Sequence, residues 1–314
     1  MSENTSSSPF TRPLVIVLCA MICCALWGSA YPSIKIGYRL FDIASDASAS
    51  QILFAGIRFT MAGFLVLIFG SCMKKEIMLP RKEAAGPIFI LAMTQTFIQY
   101  VFFYIAMAHT TGVKSSILTS ISCFFSILIA ALIFRQEKLT ALKILGCLLG
   151  FAGVVIVNLS GGTFTFDFSL NGEGFLLLSS LCYSFSSVFM KKFSQRWDPL
   201  VLSGSQFILG GALMTGPGLI LGGKMAALTP VSALLLLYMA FISAAAYSLW
   251  GILLKYNPVS RISVFTFLTP IFGVVLSALF LRESAQASGL ITFLALVLIC
   301  VGIYVVNRPP KKVS

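Results

Sequence analysis

The sequence predicts an all-α integral membrane protein: ten transmembrane helices built as two inverted repeats of five. Three observations predict this. Hydrophobic residues make up 58% of the 314-residue chain and charged residues only 10%, whereas a soluble domain carries about 25% charged residues. The apolar residues fall into ten stretches, each close to the roughly 20 residues that cross a bilayer. The second five stretches also repeat the pattern of the first five. A repeat with an odd number of spans must sit upside down relative to its copy. That is a common build of secondary transporters, with the substrate site near the midplane between the halves.

The spans are expected at 14–37, 51–71, 84–108, 112–134, 141–159, 171–192, 200–222, 230–254, 260–281 and 286–306. They leave no room for a separate soluble domain. A polar, Ser-rich tail (1–12) precedes the first repeat (13–159), an outer linker (160–170) joins it to the second repeat (171–307), and a short basic tail (308–314) follows. The first span is too long for the apolar region of a signal peptide. Removing it would also break the charge pattern of the loops.

That pattern sets the orientation. The net charge is +12, but the basic residues are scattered over short loops, which argues against nucleic acid as a partner. With the N-terminus placed in the cytoplasm, 16 basic residues fall on the inner side, among them Lys74, Lys75, Lys191, Lys192, Lys311 and Lys312. Only Arg39, Lys224 and Arg282 fall outside. Cytoplasmic loops carry such an excess, so both termini are expected in the cytoplasm. Seven of the eight cysteines lie within spans and none form a CxxC pair. They read as small apolar packers in the reduced state, with no metal site.

The duplication can be followed residue by residue. Trp27-Gly28 with Lys35 matches Tyr183-Ser184 with Lys191, and Arg58-Phe59 matches Gln206-Phe207. Arg135-Gln136-Glu137 matches Leu281-Arg282-Glu283, and the run from Gly153 to Asn158 matches that from Gly302 to Asn307. Over 12–308 the chain resembles the drug/metabolite transporter superfamily, in its ten-span branch of duplicated EamA domains. Trp27-Gly28-Ser29, Arg58-Phe59 and the acids Glu137 and Glu283, which close spans 4 and 9, carry the resemblance. So does Pro270, for which the first half has Phe124 instead, so a proline-assisted bend is expected in span 9 only. The resemblance implies a basket of helices whose central cavity is lined mainly by spans 1, 3, 4, 6, 8 and 9, with spans 5 and 10 at the periphery. It also favours a prokaryotic plasma membrane.

Arg58 is the sharpest single residue. A charge inside a span costs about 2.5–3.5 kcal/mol on insertion scales, so it faces a cavity or a partner. One reading is an electropositive anchor for a carboxylate or phosphate; the other is a structural Arg bonded to neighbouring carbonyls. In span 3, Gln95 and Gln99 share a helical face by their i, i+4 spacing, with Tyr100 beside them. Neutral amides and phenols suit a zwitterionic or amphipathic solute, and equally serve as hydrogen-bonding glue between helices. Ser116 and Thr119 in span 4, Ser184 and Ser187 in span 6, and Thr266 and Thr269 ahead of Pro270 in span 9 add polar candidates. Trp27, Tyr31, Tyr247 and Trp250 supply aromatic ones, able to stack on a substrate or to form interfacial belts. The motifs Gly146xxxGly150 and Gly218xxxGly222 allow close helix contact, for which packing within a monomer is the default and a homodimer the alternative.

The absences discriminate further. None of the ten carboxylates lies in a span interior, Glu173 standing at the outer start of span 6, although a proton-driven multidrug antiporter normally needs a membrane-embedded Asp or Glu. The chain lacks a phosphate loop, so ATP is not the expected energy source, and it carries no enzyme signature or cofactor motif. The function expected is secondary transport of small organic metabolites, amino acids or their relatives foremost, as exporter or facilitator by alternating access. The alternative is export of cationic or quaternary amines, which a cavity-facing Arg58 would oppose by Coulomb repulsion. A membrane transferase would need paired acids or histidines at one interface, and a nucleotide-sugar carrier several cavity cations. Neither set is visible.

Overall fold

A computed structural model of the chain describes residues 8–44, 46–109, 112–159, 168–281 and 289–308. Within lipid every backbone polar group must be satisfied inside the protein, which leaves the helix as the form for each span. Among the described residues ten long helices follow: α1 (Pro13–Leu40), α2 (Ser48–Lys74), α3 (85–109), α4 (112–133), α5 (Ala141–Leu159), α6 (170–193), α7 (Pro199–Ile220), α8 (Pro230–Tyr256), α9 (259–281) and α10 (Gly289–Asn307). They agree with the expected spans to within a few residues at each end. Local chemistry fixes several boundaries. Pro13, Pro199 and Pro230 open their helices, where the missing N–H costs nothing. The Asp198 carboxylate caps α7 by accepting from Leu200 N at 2.8 Å. Thr229 and Ser232 form a capping box at α8. Gly222, at φ +79°, ends α7 in the left-handed region that favours glycine.

Five helices, α1, α2, α3, α6 and α8, are long and apolar enough to cross a membrane by length and composition, and α4, α5, α9 and α10 contain shorter apolar segments. α7 has 22 residues, among them Gly204, Gly210 and Gly211. These small residues let it press closely on α2. A methyl group on Gly63 would stand 2.5 Å from the carbonyl oxygen of Gly204, and one on Gly211 would stand 2.7 Å from that of Gly56. Small residues allow the close backbone approach by which helices associate in lipid. α5 and α10 pair in the same way, and a methyl group on Gly146 would stand 2.6 Å from the Gly302 carbonyl oxygen. Gly146 and Gly150 pack within the chain on α10 and α9, and Gly218 packs on Leu53 of α2, while Gly222 lies beyond the helix end.

The packing is reciprocal between the halves. α2 lies on α7 and α5 on α10, while α1 packs against α8 and α9 just as α6 packs against α3 and α4. Matched residues of the two halves meet. Phe59 stacks on Phe207 with ring centroids 5.4 Å apart, and Trp27 meets Tyr183 edge to face at 6.5 Å. Contact between a residue and its own mate is the property of positions beside a two-fold axis. The lateral position of α5 and α10 agrees with expectation, and their outer sides expose Leu145, Leu148, Phe293 and Tyr304.

The helical hydrogen-bond pattern is interrupted in span 9, where the proline-assisted bend is expected, and in span 4 as well. In α9 a 3-10 turn, Val264–Phe267, precedes Pro270. α4, without a proline, breaks at Ile121 as well. Serines of α6 support that break: Ser180 Oγ donates to the Leu118 carbonyl at 3.3 Å and Ser184 Oγ to the Ser122 carbonyl at 2.8 Å. Carbonyls that a continuous helix would hold for itself are shared with a neighbour, the compensation that lets a membrane helix interrupt its ladder.

The glycine seam gives a direct test. Gly63→Val should destabilise the protein by about 1–3 kcal/mol, the usual cost of overpacking, read as a lower thermal midpoint in detergent. Gly216→Ala, where an added methyl meets nothing within 4 Å, should leave that midpoint unchanged.

Candidate functional site: a central cavity

α1, α2, α3, α4, α6, α8 and α9 enclose a cavity of about 170 Å³. Its lining comes from the middle of these helices and from the half away from the chain termini. The expected spans all contribute, and α2 joins them through Arg58. Nine sequence-predicted residues line it: Trp27, Arg58, Gln99, Tyr100, Thr119, Tyr247, Thr266, Thr269 and Pro270. Gly28 explains how α1 reaches this position, because a methyl there would stand 2.6 Å from Phe272 Cβ of α9. Its glycine therefore lets α1 cross α9 beside Pro270.

Arg58 is only 3% exposed. Its Nε has no hydrogen-bond partner, and among the described residues no carboxylate pairs with it. Its guanidinium carbon lies 4.4 Å from the centroid of the Phe59 ring. This departs from the structural alternative, in which neighbouring carbonyls would take up the Arg. Phe59 continues into an aromatic wall. Tyr100 lies 4.5 Å from it, Phe207 meets Tyr247 at 5.1 Å, and Tyr247 meets Trp27 at 5.2 Å, all between ring centroids. The hydroxyls of Tyr100 and Tyr247 are hydrogen-bonded at 3.0 Å.

Other predicted site residues lie elsewhere. Gln95 does not line the cavity: its Oε1 accepts from Gln206 Nε2 at 3.0 Å, and Gln206 Oε1 accepts from Thr96 Oγ1 at 2.7 Å. Gln95 stands one turn nearer the terminal face than Gln99, within a π-helical turn, Ala92–Phe97, of α3, and at that depth it meets α7 instead of the cavity. Ser184 points at α4, as described, and Ser187 is buried outside the cavity. Trp250 backs Trp27 at 4.9 Å without reaching the lining. The side chains of Tyr31 and Ser116 lie outside the described residues.

Sequence reasoning did not single out Ser179, Ser180 and Tyr183 of α6 as site residues, nor Ser243 of α8, yet all line the cavity. The α6 error is one of depth: Ser180 and Tyr183 share a face with Ser184 and Ser187 and stand one turn before them, farther from the terminal face. Tyr183 carried a usable signal, being the repeat mate of Trp27.

Toward the face that carries both termini the cavity is closed. Ile16, Ala20, Leu253, Val259 and Ile262 belong to the largest buried core there. Beyond them lies a polar lock. Glu137, following α4, accepts from Ser260 N at 2.9 Å, from Ser260 Oγ, and from Lys143 Nζ at 2.6 Å. It thereby caps the start of α9 with a carboxylate, favourable at a helix N-terminus. Lys191 Nζ and Gln195 Nε2 both donate to the Lys255 carbonyl at 2.9 Å, and Asn257 Nδ2 donates to the Phe10 carbonyl at 2.9 Å.

The sequence model of the EamA-like transporter family matches residues 14–159 and again 170–308. A protein of Escherichia coli named a probable amino-acid metabolite efflux pump is 27% identical, over 91% of this chain and 92% of its own length. An uncharacterized transporter of Bacillus subtilis, YvbV, is 25% identical over 96% of this chain and 94% of its own. A crystal structure of a protein 18% identical superposes with a TM-score of 0.74, over 93% of this chain and 96% of that one. This likeness establishes the fold.

Replacing Gln95 by Leu strands Gln206 in an apolar interior, a loss of about 1–3 kcal/mol. Its expected signature is a lower thermal midpoint, with the transport KM of the surviving protein unchanged.

Proposed function

The chain belongs to the EamA-like transporter family, and from that premise we propose that it moves small organic metabolites, amino acids or their relatives, across the membrane without ATP. The observation that carries this reading is the mid-depth cavity with the unpaired, buried Arg58 in its wall. Its two halves, 13–159 and 171–307, act as inverted repeats, a reading supported by the reciprocal helix pairs and by Phe59 meeting Phe207. In the alternating-access cycle the structure then corresponds to a state closed on the cytoplasmic side. The termini and the Glu137 lock are cytoplasmic, in keeping with the loop charges, and the protein works as a monomer in a prokaryotic plasma membrane. Export is the direction suggested by the name of the E. coli relative. The absence of a span-interior carboxylate supports movement as a facilitator. Arg58 in the wall opposes the alternative cargo, a cationic amine.

Flux into proteoliposomes tests this directly, with a panel of amino acids against a panel of quaternary amines, each with and without an imposed pH gradient. Amino-acid movement indifferent to the gradient is the expected result. Gradient-driven amine movement would overturn the reading.

The lock makes a separate prediction. Glu137→Ala removes charged hydrogen bonds worth about 1.5–3 kcal/mol, and should open the cytoplasmic mouth more often. A cysteine placed at Val259, 1% exposed, should then react with a maleimide from the cytoplasmic side about tenfold faster or more.

A further inference from the structure

Three polar atoms in the cavity wall are buried without a hydrogen-bond partner: Trp27 Nε1, Arg58 Nε and Gln99 Oε1. Buried polar groups are ordinarily paired, and one left unpaired costs about 1–3 kcal/mol. Several such atoms in one wall mark groups that a ligand satisfies. Their types are informative. Trp27 and Arg58 can only donate, and the Gln99 carbonyl can only accept. From these atoms we infer that Arg58 and Gln99 are the specificity-determining pair for a solute carrying one carboxylate and one ammonium group on an apolar body. The inference rests on the transport reading above and deepens it.

Arg58 takes the carboxylate, and Gln99 accepts from the ammonium. Charge arithmetic favours this order. A unit charge about 4 Å from Arg58 feels roughly 4 kcal/mol at an effective dielectric of 20. The term attracts a carboxylate and repels a lone cation, and it exceeds a typical cation–π gain from the aromatic wall of about 0.5–2 kcal/mol. A doubly charged anion would call for a second cation, and among the described lining residues Arg58 is the sole charged side chain. The ammonium finds a neutral carbonyl in Gln99, so the zwitterion keeps its own charge balance in the site. The body of the solute meets Ile34, Phe103 and Ile242, which favours an aliphatic or aromatic side chain over a polar one.

The test is calorimetric binding to the full-length protein in nanodiscs, using two sets of ligands. One is leucine, isoamylamine and isocaproate; the other is phenylalanine, phenethylamine and hydrocinnamate. Within each set the amine lacks the carboxylate and the acid lacks the amino group. The amino acid should bind at least about tenfold more tightly than either fragment. Arg58→Gln should bring the amino acid down to the level of the amine, while Arg58→Lys should retain a preference for the carboxylate. Gln99→Leu should bring it down to the level of the acid and leave the acid itself unchanged. Thermal midpoints establish that each variant is folded. The inference falls if the amine binds the native protein as well as the amino acid, if neither set binds, or if Arg58→Gln weakens amino acid and amine by the same factor. Amino-acid flux that persists with any of these results would sink the pairing alone. Flux of quaternary amines only would remove the transport reading as well.

Discussion

The close seam between α2 and α7 sets the positions of the other functional parts. Gly56 and Gly63 face Gly211 and Gly204 so closely that a methyl group at any of them would meet backbone. Lipid tails are as apolar as the helices, so burial of apolar surface does not drive such pairs together. Packing contact and hydrogen bonding do. Once the two backbones meet, Phe59 stacks on Phe207. Arg58, one residue earlier, is turned into the cavity, while its mate Gln206 is turned toward α3 and bonds Gln95. Matched positions of the two repeats thus acquire different tasks. One supplies charge to the site and the other supplies glue.

The same economy of polar groups shapes the cavity. Serine hydroxyls of α6 hold carbonyls of α4 where its helix breaks, and the proline of α9 marks the corresponding break in the other half. Two interrupted helices therefore flank one polar pocket, the setting in which irregular backbone is tolerated at membrane depth. The aromatic wall running from Phe59 through Tyr100 and Tyr247 to Trp27 is rigid and largely apolar. Against it a single guanidinium is a strong discriminator, because no carboxylate among the described residues neutralises it.

Polar contacts at the terminal face have another character. Glu137, Lys143 and Ser260 tie the end of span 4 to the start of span 9, and Lys191 with Gln195 ties α6 to the end of α8. The Glu137–Ser260 contact joins the two halves and the Lys255 contacts lie within the second, and both are made through side chains that can exchange their partners for water at the membrane surface.

Composition, the ten apolar stretches and the duplicated motifs determined by themselves that the chain is helical, spans a membrane and belongs with the EamA transporters. Those properties depend on the count and order of residues, which lipid reads directly through hydropathy and length. They also marked Arg58, since a charge inside a span is costly wherever it points. How deep the cavity reaches was decided by the tertiary structure. Gln95 lies one turn too near the terminal face and bonds Gln206 instead, and on α6 the lining pair Ser180 and Tyr183 stands four residues, one turn, before Ser184 and Ser187. Residues four apart share a helical face, so periodicity marks the face and leaves open which turn of it borders the cavity. Whether Arg58 was anchored or free was likewise a matter of what stood opposite it, and only the packed structure brings those neighbours together.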